Sequence, residues 1–200
     1  MVKKIIVCSC SQEKIAEAEE ALKKLEIEVV SVENAGIGNL NEIRESAKNI
    51  GALVASEVAN LTGECCICDD CMLAVNALGG RPGFAASIFA GDKTPEKAMD
   101  EVLLSLKQRK GVERNALMTC ILVFARPSDG DKKQEMEMFQ GEVRGSIASD
   151  KCSEVGSDFE RIFAPEGYDL TLAQLPIEEK NNISHVGKAL YQLVTYLMYE

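Results

Sequence analysis

The 200-residue chain has no tryptophan, a single histidine and only 5% aromatic residues. So few rings argue against the stacked aromatic platforms that hold single-stranded nucleic acid. Positive charge is also scarce: 22 basic residues face 32 acidic ones, for a formal net charge of −10. Non-specific binding to nucleic acid needs a basic surface, so no nucleic-acid partner is expected. A small polyanionic substrate is compatible with this charge, because carboxylates can hold a divalent cation that in turn holds phosphates. No run approaches the 18 apolar residues of a membrane span, so no membrane partner is expected either. The short apolar run in "MVKKIIVCSC" is too brief for a signal sequence and no small-residue cleavage site follows, so it reads as a first strand. The expected location is the cytoplasm, where eight cysteines would stay reduced.

What is present describes an ordinary globular protein, 46% hydrophobic and 27% charged, long enough to bury a sizeable core. "KKIIVCSC" reads as a buried strand, and Ser11 caps a helix whose Ile15, Ala18, Leu22 and Leu25 recur at helical spacing. A second strand spans 27–32. A Gly/Asn-rich loop follows, and Asn41 caps one helix carrying an apolar stripe of Ile43, Ala47, Ile50, Val54, Val58 and Leu61, ended by Gly63. "CCIC" is the third strand, and strands alternating with helices imply parallel pairing. Thr94 and Pro95 open another helix. The runs "NALMTCILVFA" and "QEMEMFQGEVRGSIA" around the Asp129-Gly130 turn form a long antiparallel hairpin. The C-terminal segment reads as one helix through Ile183, Leu190, Val194 and Leu197. No linker or repeat divides the chain, so residues 1–200 form a single α/β domain with a smaller lobe from the central part and a cleft between the lobes.

The chemistry concentrates in "GECCICDDCMLAVNALGGRPG", residues 63–83. Cys65, Cys68 and Cys71 have the C-x-x-C spacing of zinc and redox sites, but a zinc site usually needs a second ligand pair. Adjacent Cys65 and Cys66 point to opposite faces of a strand, so Cys65, Cys66 and Cys68 cannot all meet one ion. Buried cysteine also behaves as a small apolar side chain. Asp69 and Asp70 follow the strand, where ligands bind in open α/β sheets, and two carboxylates there can hold Mg²⁺ and orient a water for attack on phosphorus. A bare acidic turn or a helix cap is the competing reading of the same pair.

These surroundings resemble the inosine-triphosphate pyrophosphatase family, which hydrolyses non-canonical purine nucleoside triphosphates. "ICDDCMLAVNALGGRPGF" looks like its acidic pair followed by "LxVxxLGGxPG", and "LPIEEKNNISHVGKAL" (175–190) like its C-terminal "EEKxxISHRxxAL". "FQGEVRGSI" (139–147) and "GSDFERIFAPEGY" (156–168) resemble two further family segments, so the likeness spans essentially the whole chain. The resemblance implies an α/β fold with an elongated mixed sheet flanked by helices in two lobes, a homodimer, and Mg²⁺-dependent cleavage of the α–β phosphoanhydride. It places Ser9 and Lys14 at the phosphates, Asp69 and Asp70 as metal and base carboxylates, and Phe159 as the ring stacking on the base. Glu160 takes the place of the aspartate after that ring, and Lys180, Ser184 and His185 lie near the phosphate and purine edge. Serine and histidine can donate to a 6-keto group and so reject a 6-amino base.

Departures from the pattern fall within that site. Cys10 and Ser11 replace a glycine and an asparagine, Asn49 replaces a metal glutamate, and Val54 replaces a lysine, with Glu45 a substitute carboxylate if the register slips. Cys71-Met72 replaces "SG", and Ile88 and Val186 replace arginines. Three lost cations, each worth roughly 1.5 to 3 kcal/mol in charge-assisted contacts, would weaken triphosphate binding by several orders of magnitude if nothing replaced them. The sequence therefore supports an active nucleoside-triphosphate pyrophosphatase, with a weakened or non-catalytic nucleotide-binding relative as the alternative. A cysteine metalloprotein or redox protein is a third reading that rests on spacing alone.

Overall fold

The computed structural model describes residues 2–48, 50–84, 94–109, 111, 113–129, 134–152, 156 and 158–200. Strand β1 (Lys4–Val7) buries Ile5, Ile6 and Val7, and helix α1 (Gln12–Leu22) starts at Ser11, whose hydroxyl accepts the Lys14 N–H. Strand β2 (Glu28–Ser31) leads to helices α2 (Leu40–Ser46) and α3 (Gly51–Thr62), the latter ended by Gly63 at a φ of 70°. Strand β3 (Cys65–Val75) turns through Gly79 and Gly80 into β4 (Arg81–Phe84). Helix α4 (Pro95–Lys107), capped by Thr94, precedes the hairpin of β5 (Asn115–Ala125) and β6 (Met136–Ile147). A 3₁₀ turn over Asp158–Ile162 enters β7 (Phe163–Pro165), and helices α5 (Ile177–Ile183) and α6 (His185–Met198) finish the chain.

Among the described residues the strands form one seven-stranded sheet, ordered β2-β1-β3-β5-β6-β7 with β4 beside β3. The β1, β2 and β3 pairings are parallel, as expected from their helical connections, and those of β3 with β5, β5 with β6 and β6 with β7 are antiparallel. The long strand β3 thus belongs to both halves of the sheet. One face of its first half is covered by α2 and α3, over Ile6, Cys8, Cys66, Cys68, Val123 and Ala125. The opposite face carries α1 and α6, over Ile5, Val7, Ile67, Leu122 and Phe124. Further along β3, β5 and β6, helix α4 and the 158–162 turn enclose a separate core around Leu73, Val75, Met118 and Phe163.

Four expectations from the sequence are corrected here. The stripe from Ile43 to Leu61 is two helices, because α2 ends at its C-cap Ala47 with Lys48 at a φ of 53° and α3 starts anew from Ile50, and Ile50 and Leu61 are exposed. Asn39, not Asn41, stands at the N-cap of α2. The C-terminal helix is likewise two, interrupted at Ser184, whose extended backbone and side-chain bond to the Gly187 N–H restart it as the N-cap of α6. Finally, the third strand does not stop at Cys68: it runs eleven residues and contains Asp69 and Asp70. Their pairing with Leu122 and Ile121 of β5 holds them in the ladder despite the poor strand propensity of aspartate. Gly130, Asn49 and Ile88 lie outside the described residues.

Candidate active site

Because Asp69 and Asp70 lie within a strand, their side chains leave opposite faces of the sheet. Asp69 turns toward α1, where its Oδ2 accepts from Lys14 Nζ at 2.7 Å and from the Cys71 thiol at 3.2 Å. Burial pushes Asp69 up, but the Lys14 ammonium and these hydrogen bonds outweigh it and hold the carboxyl at about 2. Asp70 turns toward α3, where its Oδ2 accepts the backbone N–H of Gly51 at 2.8 Å. Helix α3 has no side-chain cap of its own at Ile50, so Asp70 caps it from the neighbouring strand. Burial is the main influence on Asp70 and raises it; the Gly51 N–H opposes the rise without cancelling it.

The expected two-carboxylate clamp is therefore not what the fold assembles: one ion cannot be shared by side chains on opposite faces. A single-carboxylate site does fit. Asp70 Oδ1 is buried and has no hydrogen-bond partner among the described residues, which leaves a hard oxygen donor ready for a cation. Among the described residues no group of three or more His, Cys, Asp or Glu side chains could enclose an ion. A divalent ion held here would take Asp70 and complete its shell with phosphate oxygens and water, the usual habit of Mg²⁺.

The remaining predicted residues fall in two groups. Ser9, directly after β1, has its hydroxyl oxygen accepting the Ser11 N–H at 3.1 Å, and Lys14 sits one helical turn further on. Glu160, Lys180, Ser184 and His185 are brought together in the interior, on the Asp69 side. Lys180 Nζ meets Glu160 Oε2 at 2.6 Å and also pairs with Glu17, a residue that the motif comparison did not single out. Glu17 is one helical turn beyond Lys14 and faces inward beside Ala18; an acidic residue within the apolar stripe of α1 was the available signal. Burial, and then the Glu160 charge, raise Glu17 to about 7. Burial works against the Lys180 ammonium, but the charges of Glu160 and Glu17 prevail and raise it. One ammonium serving two carboxylates stays charged, and Glu17 takes up a proton near neutral pH.

His185 opens α6 and is fully enclosed, with Nδ1 lacking a hydrogen-bond partner among the described residues. Burial lowers it to about 4, against the upward pull of Glu160 and Asp69, so the ring is neutral at pH 7. Phe159 is corrected more sharply. It is 1% exposed within the core around Leu73 and Phe163, so neither ring face is open for stacking on a base. Val54 and Val186, standing where the family pattern has cations, are buried in the apolar clusters on either face of the sheet.

The thiols fall into the packing role. Cys8 Sγ lies 2.9 Å from Cys66 Sγ on the neighbouring strand, and Cys71 pairs with Cys120 across β5. A hydrogen bond shared with Cys66 and then burial raise Cys8, while the Cys120 contact and burial raise Cys71, so these thiols have little of the thiolate character that metal binding and redox exchange need.

The Ham1 family model matches residues 5–196. The dITP/XTP pyrophosphatase of Listeria monocytogenes is 34% identical over 194 residues, 95% of this chain and 92% of its own length. That of Oceanobacillus iheyensis is 31% identical over 199 residues, covering 98% of each chain. The structure of a HAM1 protein from Coxiella burnetii superimposes over all of both chains with a TM-score of 0.76 at 29% identity, and the Staphylococcus aureus Ham1 protein gives 0.69 at 26%. With its mixed sheet, its flanking helices and its motifs in register over nearly the full length, this chain belongs to the Ham1 family.

Proposed function

We propose that the protein hydrolyses non-canonical purine nucleoside triphosphates to nucleoside monophosphate and pyrophosphate with Mg²⁺, as a cytoplasmic homodimer. The observation that carries the chemistry is Asp70: a half-buried residue with one carboxylate oxygen fixed by the Gly51 N–H and the other, itself buried, without a hydrogen-bond partner among the described residues. Bound Mg²⁺ would neutralise phosphate charge and polarise the phosphorus under attack. Asp70 would hold the ion and stand beside the attacking water as its proton acceptor, while the ion would lower the pKa of that water. Asp69 acts through Lys14, fixing the ammonium as a point charge for phosphate at the start of α1. Ser9 lines the same loop.

Base selection falls to Ser184 and His185. The Ser184 oxygen already accepts the Gly187 N–H, which leaves its hydroxyl proton to be donated. Neutral His185 keeps one N–H to donate as well. Two donors match a 6-keto purine and oppose a 6-amino one. Both groups are enclosed, so the purine enters by parting the 158–162 turn, with Phe159 and Glu160, from α5 and α6 in a cleft between the smaller lobe and the rest of the domain. Release of pyrophosphate from dITP or XTP, and none from ATP, is the expected assay result. Asp70→Asn should abolish release while the cooperative melting transition persists. Absence of pyrophosphate from every triphosphate at high protein concentration would rule the reading out. Sedimentation at micromolar concentration tests the dimer.

A second reading, nucleotide binding without hydrolysis, is favoured by Val54 and Val186, buried apolar residues where the family pattern carries cations. Triphosphate binding with no pyrophosphate release would select it.

A further inference from the structure

The lost cations raise the question of what faces the phosphates besides Lys14, and α2 supplies an answer that no motif marks. Arg44 lies in the last turn of this helix, whose Ile43 packs with Cys8, Cys66 and Cys68 over the first half of the sheet. Its Nη2 donates to the Cys8 carbonyl at 2.8 Å, one residue before Ser9. Cys8 in turn donates its N–H to Ile67 of β3, two residues before Asp69. Arg44 is therefore fastened at the end of β1, where the Ser9 loop and the Asp69–Asp70 stretch of β3 converge.

Arg44 forms no ion pair with any carboxylate among the described residues. A guanidinium carries five N–H donors, and one bond to a neutral carbonyl neither neutralises it nor uses up the fork. Val54 could not serve instead: it is fully buried on the face of α3 that packs on the sheet.

We propose that Arg44 is a phosphate-binding residue of this site, supplying from α2 the cationic contact that Val54 does not. The proposal rests on the triphosphate reading above only for the identity of the ligand; the residue itself would bind any pyrophosphoryl group placed between Ser9 and Asp70. A planar, always-charged fork suits paired phosphate oxygens, and its fastening to Cys8 restricts the side chain before substrate arrives.

The test uses inorganic pyrophosphate as probe, in calorimetric titrations of wild type, Arg44→Gln and Arg44→Lys with Mg²⁺ present. Arg44→Gln keeps a donor for the Cys8 carbonyl and loses the charge. It should bind pyrophosphate roughly ten- to a hundredfold more weakly, the range for a lost charge-assisted contact, with its melting temperature near that of wild type. Arg44→Lys should recover part of that loss. Equal affinity in Arg44→Gln and wild type, or no pyrophosphate binding by wild type, overturns the proposal, as does a loss of affinity that merely tracks a fall in melting temperature. The hydrolysis reading fails separately: a wild-type protein that releases no pyrophosphate from any triphosphate, yet binds it through Arg44, refutes hydrolysis and leaves this assignment standing. If turnover is present, Arg44→Gln should raise KM by a similar factor with a smaller change in kcat.

Discussion

The titrating side chains of the buried cluster set opposing pH dependences. His185 has a folded pKa near 4, below its ordinary 6.5, so its neutral form carries stability that is complete above about pH 6.5 and is lost as the pH falls toward 4. Glu17 runs the other way: raised from 4.5 to about 7, it gives stability that is complete below 4.5 and is lost as the pH rises through 7. Urea midpoints measured from pH 4 to 8 should therefore separate the two. Glu17→Gln is expected to remove the decline on the alkaline side and leave the acid-side decline in place. An unchanged alkaline arm in that variant would mean that Glu17 is ionised throughout. Asp69 adds no slope above pH 4, since its stabilisation by Lys14 is lost only between 3.8 and about 2.

At the scale of elements, close approaches locate the functional groups. A Cβ on Gly51 would sit 2.6 Å from Asp70 Oδ2, so Gly51→Ala pushes either the first turn of α3 or the carboxylate out of place. Overpacking of this kind costs about 1 to 3 kcal/mol, and activity should fall more than stability because the displaced carboxylate carries the proposed metal donor Oδ1. Gly141, in the "FQGEVRGSI" segment of β6, lies under the start of α6: a Cβ there would come 2.0 Å from the His185 carbonyl oxygen. Backbone cannot yield as a flexible side chain does, so Gly141→Ala is expected to lower the melting temperature more than Gly51→Ala. Calorimetric melting of the pair checks the order. Of the two glycines of that segment, read in the sequence as a family likeness, Gly141 is explained by this helix-on-strand contact and Gly145 by β7, where a Cβ would come 2.1 Å from the Ala164 carbonyl oxygen. Ser184→Ala removes the α6 cap at a cost of about 1 kcal/mol, measurable as a shift in denaturant midpoint.

On the scale of the molecule, the ion cluster joins parts of the chain far apart in sequence: Glu17 from α1, Glu160 from the 158–162 turn and Lys180 from α5. Lys180→Met would leave two carboxylates buried without their ammonium. Removing one partner of a buried charge group costs roughly 3 to 5 kcal/mol, so this variant should unfold readily at pH 7.5 and regain stability at pH 5 as Glu17 takes up a proton. Equal stability at the two pH values would show that the cluster is not what couples these elements.

Local pattern determined much of this protein. Hydrophobic periods, caps and turn residues specify β1, α1, α4 and the β5–β6 hairpin, because each depends on neighbours within a few residues. The motifs in "LGGRPG" and "EEKNNISH" were sufficient to suggest the family, since they record chemistry at particular positions. The tertiary structure decided what those positions face. The two-residue period that separates Cys65 from Cys66 also separates Asp69 from Asp70, but applying it required knowing that β3 continues past Cys68. That continuation comes from pairing with β5, some fifty residues away, and not from the strand propensity of aspartate. The burial of Phe159, the inward turn of Glu17 and the fastening of Arg44 to the Cys8 carbonyl are likewise long-range contacts. They arise from how helices and strands pack, and no short stretch of sequence contains both partners.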